Sequence, residues 1–358
     1  MSSLALATAI LVSHAGTPAP ADTSRAVIVA RIDGSAALTA GLEALEAVEV
    51  GADGSIYALD GSTNALHAFD AGGRHRWSVG RRGRGPGEFE SPVGLAWAPD
   101  GRLWVIDPGN QRATVIGQDG RIVGTRVLPS SFVLSPWPGR FDREGRLLHY
   151  AAPDNAGYEY QIAVFDQALT RGVTRRPPEP PEPIAHFQGV TDRGSDMRTP
   201  VPFTPRLVWR LDQQGRFVSA WTAELAFSRD GQPLGGPEFP REPGPPVTEV
   251  ERRAAVEGLS RFVRLGGRID PARIPARKPV LSTFVLDERD RIWAMMSRVS
   301  GETGTRFEVF SATGTHQRTV LVPARLDPFP TIVVRGDLIV GVERDEDGVE
   351  TIMVARVR

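Results

Sequence analysis

The chain is expected to fold as an all-β, six-bladed β-propeller built from four-stranded antiparallel blades. Three observations point there: one complete unit between Gly80 and Val123, the return of its hairpin turn along the chain, and a strand-like run after every such turn. The unit reads GRRGRGPGEFESPVGLAWAPDGRLWVIDPGNQRATVIGQDGRIV. It is a strand, an Asp-Gly turn, a strand, a polar turn, a strand, a second Asp-Gly turn and a fourth strand. One antiparallel sheet in about forty residues is the size of a propeller blade.

The turn before each second strand sets the count. These turns are Asp53-Gly54-Ser55, Asp100-Gly101-Arg102, Glu144-Gly145-Arg146, Gln214-Gly215-Arg216, Asp290-Arg291 and Gly336-Asp337. Glycine there supplies the positive φ of a tight hairpin. The runs that follow (SIYALD, RLWVID, RLLHYAA, RFVSAWTA, RIWAMMS and DLIVGVE) are aromatic and β-branched, as a pleated buried surface requires. The last blade has only three strands before the chain ends, at TIVVRG, DLIVGVERD and VETIMVARV. The N-terminal run Ala26 to Ile32 has no blade of its own and is expected to be the missing fourth strand. Such closure removes an open sheet edge.

Turn spacing is about 45 residues, but stretches to about 70 and about 76 on either side of the fourth turn. Insertions are therefore expected at about 177–205, after the outer strand of blade three, and at about 239–279, between blades four and five. The connection from Gly80 to Pro92 is the equivalent one after blade one. All such connections leave one face of a propeller, so three elaborated loops are expected around one mouth of the central channel. Within the second insertion, Thr248 to Leu265 reads as a helix. Thr248 and Glu251 have capping-box spacing, Val250, Ala254, Leu259, Phe262 and Val263 form an apolar stripe toward the disc, and Gly266-Gly267 stops the helix.

Composition excludes several classes. With 42 basic against 43 acidic residues and a net charge of −1, the chain lacks the basic excess of a nucleic-acid binder. Nearly all positive charge is arginine, since Lys278 is the only lysine. There is no cysteine, so thiol nucleophiles, disulfides and thiolate metal sites are absent. Leu4 to Val12 is an apolar run of signal-peptide length, followed by small residues at Ala19-Pro20-Ala21, although no basic residue precedes Arg25. Residues 1–21 are expected to be a signal peptide, 22–358 a single propeller domain, and the location periplasmic or secreted. No other apolar stretch is long enough to span a bilayer.

The Gly80–Val123 unit resembles the NHL-repeat family. It contains the approach GRGPGEFESPVGLA and the signature Val105-Ile106-Asp107-Pro108-Gly109-Asn110-Gln111-Arg112. The likeness weakens to Tyr57-Ala58-Leu59-Asp60 with Asn64 in the preceding blade, and elsewhere to turns and strands. The chain also looks like bacterial exported six-bladed propellers, through Val201 to Pro205 (VPFTP) and Asp287 to Trp293 (DERDRIW). The resemblance implies fold and export, not an activity.

Asp107 and Asn110 flank a turn and suit bonding to backbone amides, while Arg112 suits pairing with Asp107 or a neighbouring blade. No G-x-S-x-G elbow is present, and the histidines His14, His67, His75, His149, His186 and His316 lack metal-site spacing. Arg81, Arg82 and Arg84 form a basic cluster suited to an anion, and His186 sits in an insertion over the expected mouth; these four are the candidate ligand-binding residues. No catalytic set, metal site or cofactor is expected. The leading expectation is a monomeric, non-catalytic scaffold binding a protein, peptide or glycan on the loop-bearing face. The alternative is a channel-mouth hydrolase or lyase of the gluconolactonase/strictosidine-synthase type. That would require calcium or a similar metal on oxygen ligands, for which Asn64, Asn110, Asn155, Glu46, Glu49 and Asp142 are the available residues.

Overall fold

The computed structural model describes residues 22–33, 42–128, 137–151, 161–235 and 243–358. The expected signal peptide, Asn155 and the first residues of the second insertion lie outside them. Strand β1 (Asp22–Ile32) comes first. Sheet one follows as β2 (Leu45–Val50), β3 (Ile56–Asp60), β4 (Ala65–Phe69) and β5 (His75–Val79), and sheet two as β6 (Gly94–Trp97), β7 (Leu103–Asp107), β8 (Arg112–Ile116) and β9 (Ile122–Val127). Sheet three comprises β10 (Arg140–Phe141), β11 (Leu147–Ala151), β12 (Gln161–Phe165) and β13 (Arg171–Arg175). Two further strands, β14 (His186–Val190) and β15 (Asp196–Pro200), precede sheet four, which is β16 (Leu207–Leu211), β17 (Phe217–Trp221), β18 (Phe227–Arg229) and β19 (Gln232–Leu234). Helices α1 (Glu249–Gly258) and α2 (Ser260–Arg264) and strand β20 (Gly267–Arg268) come next. Sheet five is β21 (Leu281–Leu286), β22 (Ile292–Met296), β23 (Thr305–Phe310) and β24 (His316–Val322), and β25 (Val333–Arg335), β26 (Leu338–Arg344) and β27 (Glu350–Val357) finish the chain.

Apart from the closing strand β1 and the small β15–β14–β20 sheet, the sheets are antiparallel meanders in chain order, and the fold is an all-β propeller. Burial follows position within each sheet. Strands β3, β4 and β7 are buried at every residue, because neighbouring sheets cover both of their faces. The outer strand β9 is almost wholly exposed. The innermost strands pack against one another around an axis, β2 on β6 and β25, β6 on β10, and β21 on β16 and β25.

The core is divided into layers between successive sheets. Tyr57, Leu59 and Leu66 of sheet one meet Leu95, Leu103 and Val105 of sheet two. Sheets two and three bury Trp104, Ile106 and Val115 against Trp137, Leu147 and Phe165. The last layer sets Val340, Ile352 and Val354 against Val48, Ile56 and Phe69 of sheet one, so the ring is closed.

Strand β1 performs the closure expected of it, and more. Its residues Ala26–Ile32 pair antiparallel with β27 as the fourth strand of the last sheet. Its first residues, Asp22–Arg25, pair in parallel with Arg318–Leu321 of β24. One strand thereby joins the last two units into a continuous eight-stranded sheet.

Candidate functional site

The two connections flanking sheet four combine into one small layer. Strand β14 pairs with β15 of its own connection and, on its other edge, with β20 of the next connection. The register places Gly189 opposite Gly267, where a Cβ on Gly189 would lie 2.4 Å from the Gly267 Cα. Only glycine permits that approach. The layer has its own core of Phe187, Val201 and Ile274, with Val256, Leu259 and Phe262 from the helices packed on it. The capping box is present: Thr248 accepts from the Glu251 amide, and the Glu251 carboxylate accepts from the Thr248 amide. The apolar stripe differs from expectation. Val250 and Val263 are 74% and 44% exposed, because the segment breaks at Leu259 into two helices and its packing face shifts to Val256, Leu259 and Phe262.

Below this layer lies a cavity of about 860 Å³. Its walls come from the lead-in to β16 (Val201, Phe203, Arg206), the turn between β22 and β23 (Arg298, Val299, Glu302), the segment before β25 (Arg325, Pro328) and the two insertions (Ile184, Glu251, Lys278). These are the ends at which each sheet hands over to the next, as expected for a propeller mouth. Met295, Met296, Leu281 and Leu207 form an apolar floor.

Four cations and two carboxylates line the cavity. Lys278 is held: its ammonium bonds the Glu251 carboxylate and, at 2.7 Å, the Arg298 carbonyl. That carboxylate also completes the α1 cap, so Lys278 ties the helical layer to sheet five. Glu302 accepts the Val299 amide at 2.9 Å. The three arginines have no carboxylate partner among the described residues. The Arg206 guanidinium donates only to the Ser282 carbonyl at 3.2 Å, and that of Arg298 only to the Leu326 carbonyl at 3.4 Å. Burial lowers the pKa of both groups, and the Arg325 charge lowers that of Arg298 further.

Farther along the axis, arginines on innermost strands reach across to the next one. Arg140 of β10 donates to the Leu211 carbonyl at 2.7 Å, Arg210 of β16 to the Thr283 hydroxyl at 3.1 Å, and Arg335 of β25 to the Val50 carbonyl at 2.8 Å. An innermost strand has an unpaired edge, and a guanidinium with five donors suits its free carbonyls. Burial pushes Arg210 down to about 10, helped by the nearby Arg206 charge. Glu49 of β2 lies among these groups. Burial raises its carboxyl to about 7 despite the attraction of Arg335 and Arg140. It stands near the hairpin end of β2, away from the cavity. Among the described residues no three His, Asp or Glu side chains come together to hold a metal ion. Asp142, one of the oxygen ligands considered for calcium, is instead taken up by its own turn through the Arg146 amide and guanidinium.

The residues singled out from the sequence lie elsewhere. Arg81 pairs with Glu88 at 2.7 Å and Arg84 approaches Glu90 at 3.7 Å, both within their own loop. Arg82 bridges to Phe89 through its backbone. None of the three lines the cavity, nor does His186, whose Nδ1 is 2.7 Å from the Ile184 carbonyl. Asp107, Asn110 and Arg112 hold that same loop. Asp107 accepts the Glu90 and Ser91 amides, and Asn110 donates to the Gly83 carbonyl and to Asp107. Arg112 does not pair with Asp107; its guanidinium binds the carbonyls of Arg84, Gly85 and Glu88. Sequence reasoning did not single out Arg206, Arg298 and Arg325. Their one sequence signal is position, each in a turn or connection within three residues of a strand end.

No protein-family model matches the chain, and no curated protein matches it. The fold is similar to that of a Bacteroides fragilis NCTC 9343 protein described as an exported-protein candidate, at 12% identity over 93% of this chain and 95% of that one, with a TM-score of 0.50. Virginiamycin B lyase from Staphylococcus aureus is similar at 10% identity over 90% of this chain and 97% of its own, with a TM-score of 0.42. A gluconolactonase from Xanthomonas campestris is similar at 13% identity over 97% and 99%, also at 0.42. At 12% identity the likeness to the Bacteroides protein extends to the fold and to no activity. The NHL-type resemblance rests on the Gly80–Val123 motif alone.

Proposed function

We propose that the chain is an exported six-bladed propeller that binds a ligand, without chemistry, in the cavity beneath the combined insertions. The observation that carries this reading is the construction of the cavity. Segments from about 184 to about 328 meet there, and two insertions with a shared core both contribute to its walls. A volume of about 860 Å³ lies within the range of small-molecule and peptide-end sites. A library of peptides and oligosaccharides screened by thermal shift tests it. Val299, 48% exposed on the cavity rim, is the place to block. Ligands should raise the melting temperature of the wild type and not of Val299→Trp. Hits that stabilise both proteins alike would remove the cavity as the site.

One observation favours a second reading, a hydrolase or lyase acting in the channel. Glu49 is a carboxyl poised near neutrality between two arginines, the setting of a general acid or base. Turnover of a lactone panel that disappears in Glu49→Gln would establish it.

A further inference from the structure

Resting on the cavity as the binding site, we infer that its ligand presents a carboxylate on an apolar body, held by Arg206, Arg298 and Arg325. Three guanidinium groups share the cavity, and none of them forms an ion pair with a carboxylate among the described residues. This arrangement differs from that of the arginines in the sheet turns and outer strands. Arg146, Arg216 and Arg291 each pair with a buried aspartate in their own turn, and Arg306 and Arg344 pair with buried glutamates. The cavity arginines have acidic residues near them, but those are engaged elsewhere. Asp327 pairs with Arg344, Glu343 with Arg31, Glu251 with Lys278, and Glu302 caps the Val299 amide.

The cavity thus holds cationic donors over an apolar floor of Leu207, Leu281, Met295 and Met296. The guanidinium fork matches a carboxylate in bidentate geometry. Methionine adapts to varied apolar shapes, so the floor accepts the body of the ligand with little shape selection. The chemistry is shared by two sources, the C-terminus of a peptide ending in an apolar residue and a free organic acid.

The cost of holding these charges together supplies an independent check. Arg298 feels the repulsion of Arg325, offset by the attraction of Asp327, Glu343 and Glu302. Replacing Arg325 by Gln should leave the ligand-free melting temperature unchanged or raise it. A drop of several degrees would show that the arginine serves the fold, and the inference would fall.

Binding is measured by calorimetry on the full chain with four probes. They are an N-acetylated peptide ending in free leucine, the same peptide as its C-terminal amide, 3-phenylpropionate, and inorganic phosphate. The acid should bind at least about 10-fold more tightly than the amide, the ratio expected of one charge-assisted hydrogen-bonded pair. Arg298→Gln should erase that preference, and Val299→Trp should abolish binding of both. Binding by the peptide acid alone assigns a peptide C-terminus, and equal binding by 3-phenylpropionate assigns a free organic acid. Phosphate binding as tightly as the carboxylates would overturn the carboxylate assignment, as would failure of every carboxylate to bind. If acid and amide bind alike, and Val299→Trp blocks both, the anion inference fails while the cavity stands. If Val299→Trp blocks neither, the cavity reading itself fails.

Discussion

Asp142, Asp212 and Asp287 do the same work in three successive sheets. Each ends an innermost strand, is at most 3% exposed, and accepts the amide and the Nε of the arginine four residues on. The turns were legible in the sequence from their glycines and arginines, as in Gln214-Gly215-Arg216. Asp287 was visible as the first residue of DERDRIW, but Asp142 and Asp212 were not singled out for this role, because each lies between a strand and the residues that mark the turn. Glu49 belongs to the same scale and behaves oppositely. Its neighbours Arg335 and Arg140 spend donors on strand carbonyls, and Asp290, Asp212 and Asp142 share the field of Arg140, so burial prevails. With a folded pKa of about 7 against 4.5, the native state keeps a proton that the unfolded chain has lost between those values. Its contribution to stability is full below pH 4.5 and is lost as pH rises through about 7. The loss is on the order of 2 kcal/mol after allowing for partial solvation. Urea midpoints at pH 4.5 and 7.5 should therefore fall more for the wild type than for Glu49→Gln.

At the scale of elements, sheets and insertions obey different rules. A sheet strand such as β7 is continuous apolar sequence because two sheets cover it. Strands β14, β15 and β20 have a single covered face and little apolar periodicity, which is why the sequence showed only a long gap there. What joins them is a pair of glycines 78 positions apart, Gly189 and Gly267, whose partnership no local pattern announces. Phe262 packs over Gly267, where a Cβ would lie 2.3 Å from the ring. Gly189→Ala should separate β14 from β20 at a cost of roughly 1–3 kcal/mol. Hydrogen exchange should show lost protection in β14 and β20 with sheet one unchanged; an unaltered pattern would contradict the pairing.

At the scale of the molecule, the closing strand matters most. The last sheet has three strands of its own, and β1 supplies both its fourth strand and a parallel seam to sheet five. A chain beginning at residue 34 exposes the edge of β27 and loses the buried Ala26, Ala30 and Ile32. Burial of one isoleucine and two alanines, with the seam, is worth roughly 3–5 kcal/mol. The shortened chain should show a lower urea midpoint and concentration-dependent association through the free edge. Full stability without residues 22–33 would mean that the ring holds without its closing strand.

Hydrophobic runs and turn residues are local, so the sequence by itself determined the all-β repeat, the hairpin order and the strand that closes the ring. The capping box at Thr248 and Glu251 was legible for the same reason, since its partners are three residues apart. Only the tertiary structure decided the site. Arg206, Arg298 and Arg325 come from two connections and a hairpin turn and meet because the sheets are arranged about an axis. The same arrangement separated Arg81, Arg82 and Arg84 from the cavity, since their cluster is local and its charges are spent on local partners such as Glu88 and Glu90. Which charges remain unpaired depends on neighbours brought by the fold, and a charge's neighbours along the chain do not reveal them.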